Sequence, residues 1–321
     1  MDMRDRLDPE LVGPLDGIME ATGGLSLRDI PATRSMLAGM LEAMAAEAPP
    51  FPGVHAEDRL LEFGGHAAKV RIYEPDFADS GSPVLLWMHP GGYVIGSIAL
   101  DDMLCRQMCK AAGCHVVSVE YRLAPEHPYP AALEDCFTAL QWLHHEPDVI
   151  GIDPNRIAVG GSSAGGGLAA ALALRARDEG DAKPCFQLLI YPALNDKNTE
   201  QASDTVPDNL FWSRENALIG WQAYLEGKQG GNDVPAYAAA IRADNLSGLP
   251  PAHIACGALD MFVRDCTDYA NALIDAGVAT SLNIYPGAFH AFDAFAPDAK
   301  VSQRFVADRT GALRRAFGKD S

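Results

Sequence analysis

From residue 54 onward the apolar positions of this chain switch period repeatedly. Short runs with strand character lie at 59–63, 68–73, 83–88, 115–119, 156–159, 186–191, 252–256 and 281–285. Between and after them come stretches of helical spacing at 100–112, 131–145, 168–177, 213–225, 267–276 and 301–317. The first two runs meet at Gly64-Gly65, which predicts a hairpin. The run 83–88 is apolar almost throughout, as a central strand covered on both faces must be. Strands alternating with helices predict an α/β fold, a mostly parallel central sheet with helices on both faces. A site on such a sheet lies outside the carboxyl ends of the strands.

The chain before residue 54 is different. Residues 31–47 carry Met36, Leu37, Met40, Leu41 and Met44 at helical spacing and stop at Pro49-Pro50. Core packing and part of a lid fit that helix equally, and methionines suit an adaptable apolar wall. Phe211, Trp212, Met40 and Met44 are candidates for a pocket wall or, equally, for the core. Residues 196–208 are polar and contain proline, so they are expected to be the most mobile excursion. No internal repeat or low-complexity segment interrupts the chain.

The stretch that organises the rest is Gly161-Ser162-Ser163-Ala164-Gly165, set between the strand at 156–159 and the helix at 168–177. It matches G-x-S-x-G. A nucleophile on a sharp strand-to-helix turn occupies strained backbone, and neighbours without a Cβ let the chain pass closely on both sides. The helix behind aims its N-terminal N–H groups and positive dipole end at the same spot. Of the two serines, Ser163 has glycine at both flanking positions of the pattern; Ser162 does not.

A serine hydroxyl is a weak nucleophile at neutral pH. It needs an imidazole to take its proton and a carboxylate to fix the imidazole's tautomer. On sheets of this kind the serine comes first in the chain, the acid next and the histidine last. His290 follows the strand at 281–285 after Pro286-Gly287, whereas His253 lies inside an apolar run and fits a core histidine. Asp260 stands where the chain leaves the strand at 252–256, and we assign it as the acid. Asp265 is the second candidate, at the start of the next helix where an N-cap is the ordinary role; Asp268 is one turn further in. The oxyanion of a tetrahedral intermediate needs fixed N–H donors. The amide of Ala164 supplies one, and His89-Pro90-Gly91-Gly92, after the strand at 83–88, supplies Gly91 and Gly92, since Pro90 has no N–H to give.

The totals narrow the partners. The chain has 321 residues and a formal charge of −18, which argues against nucleic acid and anionic membrane surfaces. No run is long and apolar enough to span a membrane, and the charged start shows no secretory signal, so a cytoplasmic location is expected. The seven cysteines show neither C-x-x-C nor zinc spacing and are expected to be reduced thiols; neither metal nor cofactor is implied.

With these segments placed, the chain resembles the bacterial hormone-sensitive-lipase family of α/β-hydrolases. The resemblance runs from about residue 54 to the end, with a weaker match before it. It is carried by His89-Pro90-Gly91-Gly92-Tyr93, Tyr121-Arg122-Leu123-Ala124-Pro125-Glu126, Gly161-Ser162-Ser163-Ala164-Gly165-Gly166, Gly257-Ala258-Leu259-Asp260 and Pro286-Gly287-Ala288-Phe289-His290. It implies an α/β-hydrolase catalytic domain over 51–321 and a helical cap built from residues 1–50 and 196–227. It implies hydrolysis of small carboxylic esters with short- to medium-chain acyl groups, by Ser163, Asp260 and His290 against Gly91, Gly92 and Ala164, without cofactor. A homodimer is admitted, not required. Two positions depart from the family pattern: Pro90 replaces a glycine that is not a donor, and Ser162 replaces the usual Asp or Thr before the nucleophile. Tyr121 to Glu126 reads as a structural turn that braces the site from behind. Acyl transfer or amide hydrolysis on the same triad, or a non-catalytic small-molecule-binding member of the fold, are the alternatives.

Overall fold

The first two strands, β1 (Val54–Phe63) and β2 (His66–Pro75), form the expected hairpin. Its two turn residues, Gly64 and Gly65, both have positive φ, as a turn that follows the strand twist requires. This is a computed structural model, and it describes residues 4–197 and 210–319. The expected excursion over 196–208 lies, from residue 198 on, outside the described residues. The remaining strands are β3 (Ser82–Met88), β4 (His115–Glu120), β5 (Ile152–Ser162), β6 (Phe186–Ile190), β7 (Ala252–Gly257) and β8 (Thr280–Tyr285). They make one sheet in the order β1-β2-β4-β3-β5-β6-β7-β8, antiparallel only at β1/β2 and β2/β4.

Burial follows this topology. Every residue of β3, β6 and β7 is buried, because helices cover both faces of the parallel part. Helices α4 (Ala131–His145) and α5 (Ala164–Glu179) pack together on one face; α3 (Asp102–Ala112) and α9 (Lys300–Ala316) pack together on the other. That split is what right-handed crossovers dictate when the chain steps from β3 out to β4 and back across to β5. Helix α7 (Val263–Asp275) joins β7 to β8, and the short α8 (Phe292–Phe295) follows β8. Among the described residues no helix is long and apolar enough to cross a membrane.

Several boundaries differ from the sequence pattern. Strand β5 begins at Ile152, ahead of the apolar run at 156–159. Helix α5 begins at Ala164, not at 168, and takes Gly165, Gly166 and Gly167 into its first turn. Their low helix propensity yields to packing, since the strand backbone crosses too close for a side chain. Helix α7 starts at Val263, four residues before its apolar spacing becomes regular. A helix absent from the pattern, α1 (Pro9–Thr22), precedes α2 (Ile30–Glu47). Asp8 caps α1, its Oδ1 accepting from the Glu10 N–H at 2.9 Å, with Pro9 in the first turn.

Helix α2 is neither core nor a wall of methionines. Thr33 is its one buried residue; Leu37 and Leu41 are half-buried, while Met36, Met40 and Met44 are exposed. The residues that join it to the domain, Ile30 and Leu37 against the core and Arg34 bonded to Val94 O, lie in its N-terminal half. Helix α6 (Arg214–Tyr224) holds the chain between α1 and α2: Asn216 accepts from the Leu27 N–H (2.9 Å) and donates to Leu25 O (2.8 Å).

Candidate active site

Four loops leave the carboxyl ends of β3, β5, β7 and β8 and converge. The sharpest follows β5. Ser163 has φ 55° and ψ −119°, a conformation costly for a residue with a Cβ and held here by its surroundings. Its N–H donates to Ile190 O (2.9 Å), and its carbonyl accepts from Gly167 (3.0 Å) and Ala193 (2.9 Å). The flanking glycines are steric necessities. A Cβ on Gly161 would stand 2.3 Å from the Gly165 backbone, and one on Gly165 would stand 2.0 Å from Met88 O.

The predicted partners meet Ser163. His290 Nε2 lies 3.0 Å from Ser163 Oγ, and His290 Nδ1 lies 2.7 Å from Asp260 Oδ2. All three residues are buried. A carboxylate can only accept, so Nδ1 carries the proton and Nε2 faces the serine hydroxyl as an acceptor. The other Asp260 oxygen accepts from the Phe262 N–H at 2.9 Å, so the turn after β7 orients the acid before any substrate arrives. The competing residues lie elsewhere. Asp265 is buried in the first turn of α7 and accepts from Asn195 Nδ2 (3.0 Å); it is not that helix's N-cap, a place taken by Phe262. Asp268 is exposed. His253 is buried in β7 with Nδ1 at 2.8 Å from Ser281 Oγ, and burial lowers its pKa to about 4.

The loop after β3 faces the same space. Gly91 and Gly92 have φ +132° and +58°. A Cβ on Gly91 would stand 2.0 Å from Ile95 O, and one on Gly92 would stand 2.8 Å from the Trp212 ring. Among the described residues no backbone hydrogen bond uses the amides of Gly91, Gly92 or Ala164 as donors, and Ala164 opens α5, where amides have no intrahelical acceptor. The Tyr121 hydroxyl donates to His89 O (2.8 Å) with the two rings stacked 4.1 Å apart, as expected of a brace. His89 is fully buried, which lowers its pKa to about 4. Its Nδ1 lies 2.8 Å from Pro90 O, so the neutral ring carries its proton on that nitrogen.

A narrow pocket of about 220 Å³, open mouth included, reaches Ser163 between Gly92, Tyr93, Ala193, Trp212, Trp221 and Phe262. Trp212 therefore lines the site; Phe211 packs against Phe295 (4.4 Å) instead, and Met40 and Met44 reach neither pocket nor core.

The sequence left out the support beneath His290. The Tyr191 ring meets the imidazole edge-on at 4.8 Å, its hydroxyl donates to Asp293 Oδ1 (3.0 Å), and Asp293 is paired with Arg309 (3.0 Å) in the interior. The available signal was an arginine on the apolar stripe of α9, in line with Val301, Phe305 and Leu313. A charge on such a stripe requires a buried partner.

Comparison with known proteins agrees with this geometry. Residues 85–294 match the family described as alpha/beta hydrolase fold. The chain is 36% identical to esterase LipI of Mycobacterium tuberculosis over 303 residues, covering 92% of this chain and 90% of that one. It is also 36% identical to carboxylesterase NlhH of the same organism, over 83% and 84% of the two chains. Among solved structures, a bacterial heroin esterase superposes with a TM-score of 0.90 at 38% identity, covering 98% and 99%. The chain belongs to the α/β-hydrolase family, in the hormone-sensitive-lipase group its motifs resembled.

Proposed function

We propose that this protein is a serine carboxylesterase acting on small esters, with Ser163 as nucleophile, His290 as general base and acid, and Asp260 as the carboxylate that holds the imidazole. The observation that carries the reading is the unbroken relay from Ser163 Oγ through His290 to Asp260, at 3.0 and 2.7 Å. His290 takes the Ser163 proton as Oγ attacks the ester carbonyl. Negative charge collects on the carbonyl oxygen, where the amides of Gly91, Gly92 and Ala164 receive it. The imidazolium protonates the leaving alkoxide and an acyl-enzyme remains. Water, deprotonated by His290, then attacks the acyl carbon, and the tetrahedral adduct collapses to release the acid and restore Ser163.

Short and medium acyl chains are proposed from the family resemblance, and the Trp212, Trp221 and Phe262 rings narrow the approach to Ser163 in keeping with it. Residues 1–50, with the segment 196–227, serve as its cap. In support, the Asp8 N–H donates to Gly287 O on the His290 loop (3.1 Å) and Asn216 ties α6 to the chain before α2. A cytoplasmic location is consistent with seven free cysteines.

The test is turnover of p-nitrophenyl esters of graded acyl length, together with fluorophosphonate labelling. Ser163→Ala is expected to lower kcat by about 10⁴–10⁶-fold and abolish labelling with the fold intact. Wild-type turnover in Ser163→Ala would refute the nucleophile, and a preference for emulsified long-chain triglycerides would refute the acyl range.

A further inference from the structure

The loop that carries Gly91 and Gly92 is intrinsically loose. Gly91, Gly92 and Tyr93 all have positive φ, and two of the three residues lack a Cβ. Two of its three carbonyls are nevertheless engaged at the back. Gly91 O accepts from the Val94 and Ile95 N–H groups (3.1 and 3.0 Å), and Tyr93 O accepts from Ala124 N–H (3.0 Å). The next carbonyl, Val94 O, is taken by a side chain from outside the catalytic domain. Arg34, in α2, donates from Nε to Val94 O at 2.7 Å. The same guanidinium donates from Nη2 to Ala124 O at 2.8 Å and forms a fork with both oxygens of Glu126, each at 2.9 Å. One rigid planar group thus spans the oxyanion loop and the 121–126 turn, alongside the bond those two segments make directly.

From this we infer that Arg34 is a positioning residue for the reaction: it holds the oxyanion loop at the distance from the 121–126 turn that keeps the Gly91 and Gly92 amides aimed at the reacting oxygen. The inference rests on those amides being the oxyanion donors. It also gives α2 a task that its exposed methionines do not reveal. Lysine cannot substitute, because a point charge with one terminal nitrogen cannot meet four acceptor oxygens spread over three residues at once.

The test compares the full-length enzyme with Arg34→Ala, Arg34→Lys and Arg28→Ala. Arg28 also ties the cap across, to Glu215, but both partners are exposed. Rates are normalised to active sites counted by burst titration. Arg34→Ala is expected to lose about 10²-fold in kcat. KM should change little, and affinity for a trifluoromethyl ketone analogue should fall in proportion to kcat/KM. Arg34→Lys should not recover the rate, guanidinium ion should restore part of it to Arg34→Ala, and Arg28→Ala should stay within about threefold of wild type. A normalised Arg34→Ala with wild-type kcat, or one whose defect lies wholly in KM with analogue affinity unchanged, overturns the assignment. A wild-type enzyme that turns over no ester at all overturns the esterase reading itself, which is a separate outcome.

Discussion

Helices α5 and α2 are of similar length and both are rich in alanine and leucine, yet twelve residues of α5 are buried and one of α2. The difference lies in what each presents to the sheet. Helix α5 enters through glycines that let strand backbones cross at contact distance, so its remaining alanines and leucines are carried into the core. Helix α2 docks through the Arg34 guanidinium, which spans two loops, with only Ile30 and Leu37 partly buried against the core. Apolar content alone therefore does not decide which helix is buried; the closest approach does.

That contrast can be broken most severely at Gly165. A valine there would drive carbon into Met88 O, and we expect a loss beyond about 4 kcal/mol together with all activity, read by thermal melting of the purified variant. A milder test sets one helix against the other. Leu172→Ala in α5 should cost about 2–5 kcal/mol in urea unfolding, whereas Met40→Gln in α2 should stay within about 0.5 kcal/mol. Equal losses in the two variants would contradict the different roles given to the helices. Acid sharpens the comparison further. His89 and His253 are buried with pKa values lowered to about 4, so the unfolded chain takes up their protons first. Their neutral burial is tolerated fully above pH 6.5, and stability falls as pH drops from there to about 4, by at most about 3 kcal/mol for each histidine. No histidine lies within residues 1–50, so this contribution does not come from α1 or α2. Urea unfolding across that range should show it, and His253→Gln should flatten the slope.

Much of the site was legible because its chemistry restricts residue type locally. The elbow needs glycine two residues either side of Ser163, and a proposed acid and base must follow late strands, which is why Asp260 and His290, the pair found beside Ser163, stood out from Asp265 and His253. The support was hidden because its partners are remote in sequence. Nothing near Arg34 announces Val94 or Ala124, and Tyr191 finds Asp293 only once the chain leaving β6 meets α8. Helix α1 was hidden for another reason. Gly13, Pro14 and Gly17 interrupt its periodicity, and it buries only Leu11 and Leu15.

The peptide group of Ser163 has no vacancy: its N–H is given to β6 and its C=O receives two amides. The post is therefore held by main-chain partners alone, indifferent to the side chain mounted on it. A thiol exchanged for the hydroxyl would be presented at the same spot, so this scaffold separates the location of an attack from the identity of the attacker, and can be rewired for new reactivity without being refolded.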